Sequence, residues 1–268
     1  MKLRRSNVTR ASHKKKLPAA ARRGDAEMRP FWNNAGVGAV MISSHILGTF
    51  DDALGTLRNN VLMMSSLTER SLERAMNGLI TRDDDLCAAA IADDEEIDQL
   101  EKQVDQDGVD LLLRFQPVAS DLRRVVSAMK LSGNLERMAD QAVNIARKSR
   151  KLNKHPALPE AELIPPMFAH AMSMFKDSVE AYIREDVELA MALKPRDKIL
   201  DEMNASASKK LIQRMGEDPD QLRGYLNLMF IARHLERVGD HATNIAEDAV
   251  YAAAAEDIRH QSSAPSRV

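Results

Sequence analysis

Four pairs of acidic residues in this chain share one spacing: Asp94 with Asp98, Glu136 with Asp140, Asp197 with Asp201, and Glu236 with Asp240. On a helix, carboxylates four residues apart lie on one face with Cβ atoms about 6 Å apart, so both can bind one cation or bridge two. An all-oxygen donor set suits magnesium, manganese or iron better than zinc or copper. Two of the pairs sit in near-copies of one segment, NLERMADQAVNIA at 134–146 and HLERVGDHATNIA at 234–246.

What is kept inside that repeat separates packing from chemistry. Ala128, Leu131, Leu135, Met138, Ala142 and Ile145 recur as Leu228, Ile231, Leu235, Val238, Ala242 and Ile245, an unbroken helical seam in each copy. Core packing accounts for these. It does not account for Glu136 and Glu236, Arg137 and Arg237, Asp140 and Asp240, or Asn144 and Asn244. On a helical wheel Glu136 and Asp140 point away from the seam. Asp94 and Asp98 flank a seam residue, Ile97, one helix earlier, and Asp197 and Asp201 flank Leu200 in the same way. If these helices are neighbours, each half gathers a four-carboxylate patch. Charged helices also carry such pairs as plain hydrated surface, and Arg137 and Arg237 could neutralise the acids in ionic networks worth little individually.

The elements that must position these residues are helices. Glycine and proline are scarce, at 11 and 10 of 268 residues, and Met, Leu and Ala are abundant. Phe50, Leu54, Leu57, Val61 and Met64 step by four and three, as do Phe168, Met172, Phe175, Val179 and Tyr182. A second helix is expected over 84–114, with Ile97, Leu100, Val104 and Leu111 on one face, and a third over 120–151. Pro117 ends the former; Ser120 can cap the latter, with Asp121 suiting its positive end. KLNKHPALPEAELIPP at 151–166, with four prolines, reads as a linker. The plan then repeats over 167–184, 186–216 and 219–254, with Asp218 as cap and Pro219 at the first helical position. Pro195 would lie inside the fifth helix, where a proline kinks the chain and could reorient Asp197 and Asp201. The expected fold is all-α: two tandem three-helix bundles, 46–153 and 165–255, joined by a linker at 154–164 and packed through leftover apolar surface.

Outside that region, residues 1–40 hold ten Lys or Arg against Asp25 and Glu27, within a chain of net charge −2. Residues 1–45 are expected to be a disordered basic extension, able to touch acidic lipid or nucleic acid non-specifically, unless translation begins at Met41; 256–268 reads as a flexible tail. The apolar run AGVGAVMI at 35–42 is too short for a membrane span and lacks a cleavage site. The single Cys87 excludes an internal disulfide framework and suits a reducing cytosol. There is no glycine-rich phosphate loop, no nucleophile elbow and no Glu-x-x-His pair of the di-iron kind. His234 and His241, about 10 Å apart along the axis, read as surface or interface histidines rather than ligands of one metal. No catalytic residue is assigned.

RFQPVASDLRRVVSAMK, NLERMADQAVNIA and HLERVGDHATNIAEDAVY resemble the PhoU family of regulators of phosphate-specific transport, and HILGTFDDALGTLRNNVLMM resembles its opening helix. The resemblance covers about 45–255. It implies two similar three-helix bundles whose Glu/Asp-x-x-x-Asp motifs bind metal clusters on the bundle surface; here these are Asp94 with Asp98, Glu136 with Asp140, Asp197 with Asp201, and Glu236 with Asp240. It further implies a non-enzymatic negative regulator of phosphate uptake and of the phosphate-starvation response. The implied partners are the phosphate ABC transporter ATPase (PstB-like), the sensor histidine kinase (PhoR-like) and further copies of the chain in a dimer or larger homo-oligomer. Such a protein is cytoplasmic, meets the membrane through its partners and takes no specific nucleic acid. Two other readings stand beside it: an accessory of another phosphate transporter without a role in gene control, and a surface-cluster metal store.

Overall fold

The computed structural model describes residues 35–259, with side chains from residue 49 onward. The basic extension up to residue 34 and the chain past residue 259 lie outside the described residues. Among those described, the regular structure is helical, with no strand: α1 (Ala35–Ile80), α2 (Asp84–Phe115), α3 (Ala119–Leu152), α4 (Ile164–Arg184), α5 (Val187–Met191), α6 (Leu193–Glu217) and α7 (Leu222–Ala254), with 3-10 turns at Pro159–Leu163 and Pro219–Gln221. The fold is two three-helix bundles in tandem, α1–α3 and α4–α7, with α5 and α6 together standing where one helix was expected.

The seams behave as their periodicity demands. Ala128, Leu131, Leu135, Met138, Ala142 and Ile145 are all buried, and so are their six counterparts on α7. Each large aliphatic side chain so removed from water stabilises the fold by about 1.5–3 kcal/mol. One continuous apolar core runs through both bundles, and the helices from Ser43 onward form one compact unit. The bundles meet chiefly along α3 and α7. Lys130 pairs with Asp248 at 3.0 Å, and Lys148 stands over Phe230. The early part of α3 therefore lies beside the late part of α7, and the two helices run antiparallel. On the opposite side Glu69 of α1 pairs with Lys176 of α4 at 2.7 Å.

Several local expectations are corrected. α1 begins at Ala35 rather than near 46. Ser120 does not cap α3: Ala119 adopts φ 51°, the helix is entered through Val118 with no side-chain cap, and Ser120 falls inside the first turn. Asp218 precedes a 3-10 turn opened by Pro219 and makes no cap hydrogen bond. The linker is partly ordered, because buried Glu160 accepts from Arg214 Nε of α6 at 2.7 Å. The expected fifth helix is interrupted just ahead of Pro195, whose ring would meet the Met191 carbonyl in a continuous helix. The chain breaks at Ala192, and Pro195 stands third in α6, among the positions whose N–H has no helical acceptor to lose.

Candidate functional site

In the first bundle α2 and α3 pack side by side, and Asp94 and Asp98 of α2 stand close to Glu136 and Asp140 of α3. Glu136 is pushed up to about 7, first by burial and then by the charges of Asp140, Glu101 and Asp98. Asp94 is raised by burial, then by Asp98 and Asp140. The side chains are half-buried, except that of Asp140, which is exposed. The acid pairs therefore lean into the crevice between two helices rather than straight out into water. Glu101 belongs with them: it is raised by burial and then by Asp105 and Asp98. Its signal in the sequence was its place three residues past Asp98, on the same helical face.

The second bundle repeats the arrangement with a tighter floor. Asp197 is pushed up to about 6 by burial and then by Asp240, Asp201, Glu236 and Glu247. Glu236 and Asp240 are raised as well, burial again acting first. Gly239 lets α6 approach α7 at this point: a Cβ there would sit 2.5 Å from Leu200 Cδ2 and 3.4 Å from Asp197 Oδ1. Residue 139, its counterpart in the first bundle, is a buried alanine. Asn204 occupies the place that Glu101 holds in the first bundle. Asp197 Oδ1 and Asn204 Oδ1 are buried without a hydrogen-bond donor, and Glu236 Oε2 has only the ion pair with Arg233 Nε at 3.5 Å.

This donor set fits a hard cation. Its atoms are oxygens, Asp197 Oδ1 and Asn204 Oδ1 lack any donor, and after burial the acids themselves raise one another's affinity for protons. The side chains are gathered on facing stripes rather than about a point: among the described residues no three His, Cys, Asp or Glu groups are arranged to hold one metal ion.

The arginines of the repeat oppose the upward shifts of the acids through charge, Arg137 at Glu136 and Glu101 and Arg237 at Glu236 and Asp240, but without direct pairing. Neither Arg137 nor Arg237 makes a side-chain hydrogen bond or ion pair among the described residues. Both stand near His241, and Arg237 also near His234, on the seam between the bundles. His234 and His241 are accordingly half-buried interface residues, both pushed down to about 4, with burial the larger cause. His234 Nδ1 lies 2.9 Å from Gln141 Oε1. Asn244 lines a cavity of about 340 Å3 with Asn134 and Arg137. The repeated acids thus form the patches, and the repeated arginines stand between those patches and the other bundle.

Two like bundles, each with one carboxylate patch, define a tandem-repeat helical protein. The PhoU domain model matches it twice, at residues 61–149 and 164–249, and all eight acids of the four pairs lie inside the matched segments. The chain belongs to the PhoU family. It is 34% identical over 220 residues to the phosphate-specific transport system accessory protein PhoU homolog of Pseudomonas aeruginosa, covering 82% of this chain and 91% of that one. It is 36% identical to the homolog of Zymomonas mobilis, covering 78% and 88%. The crystal structure of PhoU from Pseudomonas aeruginosa superposes with a TM-score of 0.75 at 33% identity, covering 77% of this chain and all of that one. The regulatory protein PhoU from Streptococcus pneumoniae superposes with a TM-score of 0.70 at 28% identity.

Proposed function

We propose that the protein is an accessory of a phosphate-specific transport system that restrains phosphate uptake and holds the phosphate-starvation response off when phosphate is plentiful. It acts as a metal-binding adapter between the transporter ATPase and the sensor histidine kinase. The observation that carries this reading is the double match to the PhoU domain, with an acid patch in the same place in each copy. No described helix is long and apolar enough to cross a membrane, which agrees with a cytoplasmic protein that reaches the membrane through partners.

Asp94, Asp98, Glu136 and Asp140 would hold magnesium, manganese or iron in the first bundle, and Asp197, Asp201, Glu236 and Asp240 in the second. The cation would supply positive charge that the acids lack, locking α2 to α3 and α6 to α7 and fixing the surface between them. Glu101 and Asn204 stand ready as further oxygen donors.

Deleting the gene should raise alkaline phosphatase in phosphate-rich medium, and wild-type protein supplied in trans should restore repression. Altered cellular metal content with normal repression would instead favour a metal store, and altered phosphate uptake with normal repression an accessory without gene control. Titrating metal-free protein with Mn2+ should show sites tighter than millimolar. Glu136→Ala with Asp140→Ala should remove those of the first bundle without loss of helicity.

A further inference from the structure

The seam between α3 and α7 carries cations that make no ion pair with either acid patch. Arg137, Gln141, Asn144, Lys148 and Lys151 fall on one stripe of α3, at steps of four, three, four and three. Phe230, His234, Arg237 and His241 form the corresponding stripe of α7. The stripes meet. Lys148 Nζ stands 4.1 Å from the Phe230 ring centroid, Gln141 meets His234, and Arg137 and Arg237 both act on His241. Lys148 and Arg237 both act on His234.

Four of these side chains are unpaired. Arg137, Arg237, Lys148 and Lys151 make no ion pair among the described residues, and the charge that most affects the Lys148 amine is another cation, Lys151. Arg137 and Arg237 border the acid patches; Lys148 and Lys151 face no acid. The far end of the seam differs, since Lys130 is neutralised by Asp248 and the cavity there also holds Glu247. Unpaired cations therefore run along a strip about 21 Å long, from Arg137, which also lines that cavity and partly offsets Glu136, to Lys151. Between its cations lie amides and Phe230, which is 45% exposed.

We propose that this strip is a docking surface for an acidic, carboxylate-rich segment of a protein partner. The inference rests on the adapter reading for the existence of a partner, but not on phosphate control or on metal. Guanidinium groups match carboxylates bidentately, and the Asn144 amide can pair with a peptide backbone. The strip is narrow and nearly linear, which suits one extended or helical segment. Lys148 already covers a face of its one aromatic ring, leaving little for a nucleic-acid base to stack on. It offers no group of exposed apolar side chains to enter a bilayer.

The test uses the full chain and a fluorescent twelve-residue peptide of Glu, Asp and Ala, followed by anisotropy. Binding should weaken with salt. It should fall about tenfold in Lys148→Glu with Lys151→Glu, and likewise in Arg137→Glu with Arg237→Glu, but not in the exposed control Lys209→Glu with Lys210→Glu. Circular dichroism should show all three variants folded. Absent binding, equal loss in the control, or binding that survives both seam reversals because it sits on the basic extension, would each overturn the assignment. So would tighter binding to anionic phosphatidylglycerol vesicles or to a single-stranded oligonucleotide than to the peptide. Seam-dependent peptide binding together with unchanged phosphatase in the deletion strain would sink the phosphate-regulator reading and leave the docking surface standing.

Discussion

His234 of α7 holds its Nδ1 2.9 Å from Oε1 of Gln141 on α3, tying the second bundle to the first through a neutral imidazole whose N–H donates to the amide oxygen. Burial, Arg237 and Lys148 together push this imidazole down to about 4, and burial with Arg137 and Arg237 does the same to His241. A histidine ordinarily titrates near 6.5, so between about 6.5 and 4 the unfolded chain binds more protons than the folded one. These two residues therefore destabilise the fold as pH falls through that window.

Glu136, raised to about 7, and Asp197, raised to about 6, work in the other direction. Between their ordinary values and these, the folded chain binds more protons, so acidification stabilises it. Asp94, Glu101, Glu236 and Asp240 are raised as well and add to this. Relative to metal-free wild type, acidification from pH 7 to 5 should lower the Tm of Glu136→Gln with Asp197→Asn and raise that of His234→Gln with His241→Gln. Parallel curves for all three proteins, by calorimetry, would refute the assignment.

The acid patch should also reverse its contribution when loaded. At pH 8 Glu136 is charged beside Asp140, Glu101 and Asp98, so Glu136→Gln should stabilise the metal-free protein by about 1 kcal/mol after allowance for solvent screening. With excess Mn2+ the wild type should become the more stable of the two. Urea titrations with and without metal decide this; a Glu136→Gln protein less stable under both conditions contradicts it.

Gly239→Ala should cost about 1–3 kcal/mol, because the new methyl group meets the buried Leu200 side chain and must displace it within the α6–α7 contact. Ala139→Gly, at the matching site, should lose only about 1 kcal/mol, through helix propensity. Equal costs in chemical denaturation would mean that α6 and α7 are no closer than α2 and α3.

Pro195→Ala should change stability by under about 1 kcal/mol, since Pro195 occupies the first turn of α6. Ile199→Pro, one turn further on, should cost about 3 kcal/mol or more. A large effect of Pro195→Ala in urea would contradict that placement.

Periodicity made the apolar seams legible, because a helix that buries one stripe must repeat it every three to four residues. The break at Ala192 was legible only through Pro195: the apolar pattern runs on across it, and the proline four residues past Met191 is what bars a continuous helix there. The α2 cap, Asp83, which accepts from the N–H groups of Asp85 and Leu86, stood unmarked among three consecutive aspartates. The acid pairs were visible through their spacing, yet Glu101 was not, since a two-residue template stops at Asp98. The role of Arg137 was the hardest to read. A helical wheel gives the angle at which a side chain leaves its helix, but not which neighbour waits there.

The antiparallel crossing of α3 and α7 has a further consequence for how the two copies can assemble. Position 248 corresponds to 148, so a first bundle paired with another first bundle would set Lys130 against Lys148, twice over. The actual pairing gives Lys130 an aspartate and Lys148 an aromatic ring. The copies have become unlike partners, each matched to the other and mismatched to itself. A severed first bundle offered both kinds of mate should choose the second bundle, and the linker need only hold together what the seam already selects.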